Sequence, residues 1–434
     1  MIQKPQKIDY KKFSDDKFDE VKYGLPPEVK FCKNCVESNQ RPSTTVEYHH
    51  KKDSKKETVF FDENGVCAAC NFSLEKDSID WDARDQMLRE LCDKHRRNDG
   101  RYDCIVPGSG GKDSIYVSHL LKNEYGMHPL TVTWSPHMYT EWGRKNFDSW
   151  IHGGQDNILI TPNGRVHRLL TRLAVDVLFH PFQPFIFGQK SLAPKIAASM
   201  GIPLVFYGEH EAEYGSEVEN DDESIQDNKF YSDVSFESMY LSGVPVEELI
   251  QDFGIDKSEL QPYLPVDQNI INDNNIEVRY FGYYKKWHPQ GAYYYAVENS
   301  NFSAAPERTV GTYSKYSSID DKIDDFHYYT TGIKFGRARA TEDAAHEIRS
   351  REINREEGVA LVKKFDLEWP ERFADEVFKY LSIPENEFPS ASKMFEQPIM
   401  DRSYFEDLSD SFRSPHIWKR EDGLWKLRRT VYKE

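Results

Sequence analysis

The chain has 434 residues, 38% of them hydrophobic and 14% aromatic, enough for a sizeable core in two or three domains at about 150 residues each. No stretch approaches the roughly 20 apolar residues of a membrane helix, and the opening MIQKPQKIDYKKF has no apolar signal core, so a cytoplasmic location away from membranes is expected. A formal net charge of −17 argues against a nucleic-acid partner, because tRNA or DNA binding draws on a basic face.

In chain order, residues 1–30 are polar and rich in Lys and Asp, which predicts a loosely ordered arm. Residues 31–76 hold two CxxC pairs, Cys32 with Cys35 and Cys67 with Cys70, separated by 31 residues. Two such pairs can close a tetrahedral four-thiolate site around one structural Zn²⁺, leaving no open position for catalysis. Iron–sulfur and redox readings of the same cysteines stand beside zinc. The spacer predicts hairpin strands over 44–48 and 58–61 around a charged tip, with His49 and His50 as exposed loop residues.

Residues 77–275 alternate strands and helices. Asp80 can cap a helix running to about Arg97, with Cys92 as a packing residue. Apolar runs predict strands over 104–106, 130–134, 157–160 and 203–207; helices are expected from Ser114 onward and over 141–152, 164–179 and 189–200. This order predicts a doubly wound, mainly parallel α/β sheet with its ligands at the carboxyl ends of the strands.

The loop after the first strand is Ser109-Gly110-Gly111-Lys112-Asp113-Ser114. A short glycine-rich turn opening a helix points free backbone N–H groups at one spot, where an anion can approach closely. Ser109 and Ser114 can donate further hydrogen bonds, and Lys112 adds a positive charge. The string is not a Walker A motif, which needs Gly at 106 and Ser or Thr at 113, nor a dinucleotide fingerprint, which needs Gly at 113.

Past the fourth strand, Glu209, Glu211 and Glu213 are suited to Mg²⁺, which takes carboxylate and phosphate oxygens. The competing reading is a solvated acidic loop, since the charge run continues through Glu217–Asp227. Residues 215–235 are polar, a candidate lid. From 276 to 434 the chain is first aromatic-rich, then helical near 340–350, 355–365, 371–382 and 385–396, with a charged and uninformative tail over 401–434. Arg337 and Arg339 stand at the start of a helix, where cations oppose the macrodipole. An anion would explain them; an i,i+4 pair of Arg339 with Asp343 is the alternative.

The Ser-Gly-Gly-X-Asp-Ser string matches the signature of the PP-loop ATP pyrophosphatases at every fixed position. With the paired CxxC motifs, GGQDNILITPNGRVHRLLTRLA, HPFQPFIFGQK, IPLVFYGEHEAEYG, ERTVGTYSKYSSIDDKIDDFHYY and FGRARATEDAAHEIRS, the chain resembles one branch over roughly residues 31–365: the N-acetyl sugar amidotransferases of bacterial surface-polysaccharide and flagellin-glycan synthesis. It departs from that pattern in the extra Ala-Arg step of residues 335–341, and in having Glu where many PP-loop enzymes carry Gly-His-X-X-Asp-Asp.

The resemblance implies that ATP adenylates the oxygen of an acetamido group on a nucleotide-activated sugar, releasing pyrophosphate, and that ammonia displaces AMP to leave an acetamidino group. It implies Ser109, Gly110, Gly111, Lys112, Asp113, Ser114 and Trp134 at the nucleotide, with Lys112, Asp113, Glu209, Glu211 and Glu213 serving catalysis. Gln189, Lys190, Arg337 and Arg339 would face the sugar substrate. Ile2 and the placement of the six cysteines leave no evident glutaminase nucleophile. A separate HisH-like glutaminase subunit, with or without a HisF-like cyclase-type subunit, is the implied ammonia source. Two other readings are a tRNA-modifying PP-loop enzyme of the thiolation or lysidine type, and a non-catalytic zinc- and nucleotide-binding scaffold.

Overall fold

A computed structural model describes all residues except 1–4, 6, 7, 15, 16, 19, 217–221, 233, 385, 387–397 and 434. Five strands form one parallel sheet: β1 (Cys104–Pro107), β2 (Pro129–Trp134), β3 (Asp156–Ile160), β4 (Leu204–Tyr207) and β7 (Glu277–Tyr280), in the order β3-β2-β1-β4-β7. The short antiparallel pair β5 (Tyr240–Leu241) and β6 (Val244–Pro245) lies outside it. β7 falls just past residue 275, and supplies an edge the four expected strands lacked.

Side chains on successive strand residues point to opposite faces, and the sheet is covered on both. Ile105, Leu130, Val132, Val205 and Val278 pack with α5 (Gly164–Leu178) and α6 (Gln183–Met200). Cys104, Val106, Leu204 and Phe206 face α2 (Trp81–His95) and α3 (Lys112–Asn123). The doubly wound expectation thus corresponds to an α/β layer structure with a parallel sheet. Cys92 and Cys104 are buried packing residues. α6 begins six residues before the expected position because Pro184 sits in its first turn, where the missing N–H costs nothing.

After α4 (Glu141–His152) and the short helices α7 (Val246–Phe253), α8 (Gln268–Asp273) and α9 (Phe281–Tyr284), the chain forms α10 (Pro289–Asn299), α11 (Asp324–Phe335), α12 (Arg339–Arg349), α13 (Arg355–Phe365), α14 (Ala374–Leu381) and α15 (Arg402–Phe412). A closing hairpin pairs β8 (Trp418–Glu421) with β9 (Leu424–Leu427). The expected helix at 385–396 lies almost wholly outside the described residues. The tail is built into a core, since Phe405, Phe412 and Trp418 are buried with Phe326 and Phe378.

Four sequence expectations are corrected. The described part of the 1–30 arm is packed: Phe13 and Leu25 join that C-terminal core, and Tyr23 donates to the Phe412 carbonyl at 2.6 Å. The hairpin over 44–48 and 58–61 does not form. Only isolated bridges, Pro42 to Thr58 and Phe61 to Cys67, occur there. Tyr48 turns inward against Phe187 of α6, which pulls the segment onto the sheet domain. His50 is buried and hydrogen-bonded to Glu47 at 2.8 Å rather than exposed. In the candidate lid, Gln226 donates to the Val278 carbonyl and Tyr280 to that of Ser224, both at 2.8 Å, so this stretch is pinned along β7. Residues 217–221 and 233 of that segment lie outside the described ones.

Candidate functional site

The first site is the cysteine cluster. All four thiols are buried, and their Sγ atoms lie within 4.8 Å of one another. The Cys32–Cys70 and Cys35–Cys67 separations are 3.8 Å, the edge of a tetrahedron with metal–sulfur bonds of about 2.3 Å. Backbone N–H groups of Cys67 and Glu37 donate to Cys32 Sγ and Cys35 Sγ at 3.3 and 3.4 Å, which favours thiolates. The four residues fit a metal ion such as zinc. α1 (Ala68–Lys76) leaves directly from Cys67. Arg355 of α13 donates to the Cys35 carbonyl at 3.1 Å, and Ala344, Ala345 and Val362 pack against the cluster, so the module is docked on α12 and α13.

The second site is a cavity of about 430 Å³ at the carboxyl ends of β1, β2 and β4. Its floor is the loop from Gly108 to α3. Gly110 has φ of +82°, and a Cβ there would stand 2.7 Å from the Phe147 Cα. A Cβ on Gly108 would meet that of Ser114 at 2.1 Å. Both glycines are therefore required by the protein's own packing. Gly111 differs: its φ is −74°, and an added Cβ would find nothing nearer than Ser109 Oγ at 3.8 Å. It is the N-cap of α3, with no side-chain hydrogen bond closing the helix end. Ser114 Oγ donates to the Gly111 carbonyl at 3.0 Å.

Asp113, in the first turn, accepts from Trp287 Nε1 at 2.9 Å and pairs with Lys112 Nζ. Glu209 follows β4 through Gly208 and reaches the same cavity. Burial first, and then the Asp113 charge, push its carboxyl up to about 7, with Lys112 acting the other way. Trp134 ends β2 with its indole against Gly188, where a Cβ would intrude to 2.1 Å. Its buried Nε1 has no partner among the described residues. Gln189 lines the same wall.

The opposite wall comes from the C-terminal half: Ser318, Asp320, Asp321, Asp324, His327 and Tyr328. The Thr140 N–H, at the N-cap of α4, donates to the Asp320 carbonyl at 3.1 Å, and a Cβ on Gly143 would stand 2.4 Å from the Asp320 Cα, so a glycine is needed for that helix to approach so closely. Asp321 is locked by the His137 N–H at 2.6 Å and His137 Nδ1 at 2.7 Å. Burial raises the carboxyls of Asp320 and Asp324; Ser109 opposes this at Asp320, while Asp320 and Asp321 add to it at Asp324. Sequence analysis missed these acids, although the repeated Asp-Asp of SSIDDKIDDF was a signal. No periodicity says that a segment 200 residues after the loop returns to cover it.

Of the other expected residues, Glu213 forms a buried pair with Lys76 and does not line the cavity. Glu211 lies one chamber away, accepting from Thr44 at 2.5 Å and pairing with Lys190 at 3.5 Å. Arg337 is held by Glu37 at 2.8 and 3.0 Å and by Glu342 at 3.1 Å. Arg339 pairs with Asp343 at 3.0 Å, the i,i+4 alternative, and with Tyr328 behind the cavity wall. Their carboxylate partners, rather than a bound anion, account for both arginines at this helix start.

Five carboxylates, Asp113, Glu209, Asp320, Asp321 and Asp324, thus share a space, with the Lys112 ammonium paired with Asp113 at its edge. Such a space favours a ligand that brings cations with it.

The architecture is an α/β protein with one parallel sheet, a ligand-sized cleft at its strand ends and a docked four-cysteine module. Residues 310–432, the C-terminal part that supplies the acidic wall, match the family described as "LPS biosynthesis protein WbpG-like, C-terminal domain", and so fit a lipopolysaccharide-biosynthesis family. An uncharacterized protein of Methanocaldococcus jannaschii is 28% identical over 83 residues, 19% of this chain; the chain spans 29% of that relative's length. Among the described residues no helix is long and apolar enough to cross a membrane.

Proposed function

We propose that this chain is an ATP-dependent, AMP-forming amidotransferase that converts the acetamido group of a nucleotide-activated sugar into an acetamidino group during lipopolysaccharide or related glycan synthesis. The observation that carries the reading is Gly111. No protein atom requires a glycine there, yet Gly111 is the N-cap of α3 and lines the acidic cavity. A polyphosphate explains the glycine by its close approach and the site by its charge. The family match at 310–432 supports the glycan setting.

Asp113 and Glu209 would hold Mg²⁺, which when bound offsets phosphate charge. The Ser109–Ser114 loop binds the β- and γ-phosphates; Trp134 flanks the nucleotide, and Gln189 lies toward the sugar. An amide carbon is a poor electrophile, so its oxygen must first become a good leaving group. The amide oxygen attacks the α-phosphorus and pyrophosphate departs. Ammonia then adds to the carbon, the C–O bond breaks, AMP carries the oxygen away, and loss of a proton leaves the amidine. The loop's contribution is positioning and electrostatic stabilisation of the departing pyrophosphate. Ammonia would come from a separate HisH-like glutaminase subunit.

Incubation of the purified chain with ATP, Mg²⁺, ammonium and a panel of nucleotide-activated N-acetyl sugars tests the reading. Mass spectrometry should find the 1 Da decrease of amide-to-amidine conversion, accompanied by AMP. Its absence across the panel, with no AMP formed, overturns it.

A further inference from the structure

The acidic cavity is the inner end of a longer cleft. Ile186 and Gln189 of α6 line both it and a middle chamber of about 350 Å³. Thr44, Glu211 and Phe230 carry the middle chamber into an outer one of about 1210 Å³. The wall facing α6 is the segment between the two cysteine pairs. It is fastened across the cleft, with Thr44 Oγ1 donating to Glu211 and the Thr44 N–H to Ser216 Oγ at 3.2 Å.

Charge reverses along this path. The inner cavity holds five carboxylates, whereas the outer chamber is lined by Lys30, Lys55, Lys56 and Lys229 along with Glu57 and Glu211; Lys30 is paired with Glu28 at 3.0 Å and Lys229 with Asp227 at 3.3 Å, which leaves Lys55 and Lys56 as the lysines beside Phe60 and Phe61. Lysines therefore line the outer chamber where carboxylates line the inner one, in a chain of net charge −17. Phe60, 63% exposed, lines the same chamber with Phe61 and Phe230. Flat aromatic faces beside ammonium groups are the two things a nucleoside diphosphate needs, stacking for the base and cations for the phosphates.

We propose that the outer chamber binds the nucleoside diphosphate of the sugar substrate, with the sugar in the middle chamber beside Gln189 and Lys190 and its acetamido group at the mouth of the acidic cavity. The cysteine module is then a substrate-recognition wall as well as a folding unit. This inference rests on the amidotransferase reading.

Photolabelling of the full chain with 5-azido-UDP-N-acetylglucosamine tests it, followed by peptide mapping and competition with unlabelled UDP-N-acetylglucosamine. Label should fall within 43–61 or 222–230. Phe60→Ala and Lys55→Glu, both at exposed positions, should each reduce competed labelling at least about fivefold, while the affinity for ATP with Mg²⁺ changes less than about twofold. Competed label confined to 310–432, no competed label, or labelling indifferent to both substitutions would overturn the inference. The two readings fail separately. AMP formation with label elsewhere rejects only the outer chamber, whereas correct labelling without AMP or amidine rejects the amidotransferase reading.

Discussion

The indole Nε1 of Trp287 donates to Asp113 Oδ1 at 2.9 Å, tying the aromatic-rich segment to the first turn of α3. With Lys112 on the other oxygen, the carboxylate is held in one orientation before any ligand arrives. Charge and position are therefore separable. Asp113→Asn keeps an acceptor for the indole but loses the charge. It should cut ATP turnover at least about 10²-fold, the size of losing one preorganised electrostatic group, with an unchanged melting temperature. Asp113→Ala should lose turnover equally and stability as well, since a buried indole N–H left unpaired costs about 1–3 kcal/mol. The opposite ranking in thermal melts would refute this role for Trp287.

Glu209 carries a pH signature. Its carboxyl is raised to about 7 by burial and by Asp113. Between the ordinary glutamate range and about 7 the folded state holds a proton that the unfolded chain has lost, so this contribution to stability falls as pH rises through that window. Mg²⁺ binding requires the ionised form, and should therefore release protons below about pH 7 and tighten as pH rises. Glu209→Gln should abolish the proton release, measured by calorimetry in buffers of different ionisation enthalpy. Equal release in wild type and variant would exclude Glu209 as a ligand.

Much of the sheet was legible because its strands are short apolar runs with punctuated ends. Cys104, Ile105 and Val106 are buried as read, and the loop that follows has the composition its geometry needs. The four-cysteine set was equally readable from spacing. What failed was everything decided at long range. Tyr48 and His50 looked like parts of an exposed hairpin, but they bury against α6 and Glu47. Arg337 looked like an anion ligand because Glu37, its partner, lies 300 residues away in sequence. Glu209, Glu211 and Glu213 alternate over five residues, yet a 3₁₀ turn at Glu211–Tyr214 sends them to three different neighbours.

The two adjacent loop glycines, Gly110 and Gly111, should separate by mechanism. Gly110→Ala forces a Cβ onto the Phe147 backbone at a positive φ and should cost about 1–3 kcal/mol in denaturant melts. Gly111→Ala meets no protein atom within 3.4 Å, so its melt should match wild type while affinity for ATP with Mg²⁺ drops at least about tenfold. A Gly111→Ala variant with undiminished ATP binding would remove the central support for the phosphate site.

The cysteine module predicts one metal per chain. Elemental analysis should find one equivalent of zinc, and Cys67→Ser should lower the melting temperature and solubility, because structural zinc binding in small modules is worth on the order of 10 kcal/mol. Docking on α12 and α13 spreads the damage beyond residues 31–76, so hydrogen exchange should rise around Ala344 and Val362 as well. Iron with sulfide in place of zinc, or an unperturbed Cys67→Ser melt, would refute the assignment.

The nitrogen source and the fate of ATP give the most direct test. All six cysteines are buried, four of them in the four-cysteine cluster, and the other two, Cys92 and Cys104, sit in the core with thiols that burial pushes upward. A buried thiol with a raised pKa is a poor nucleophile. The chain alone should therefore use ammonium but not glutamine, with glutamine becoming a donor once a glutaminase subunit is added. Each amidine formed should be matched by one AMP and one pyrophosphate, and the oxygen of an ¹⁸O-labelled acetamido group should appear in AMP, because the adenylated oxygen is the one expelled. Glutamine hydrolysis by the pure chain would contradict the assignment of nitrogen supply. ADP with phosphate, or label retained in the sugar, would instead contradict adenylation, and with it the proposed role of the loop at Gly111.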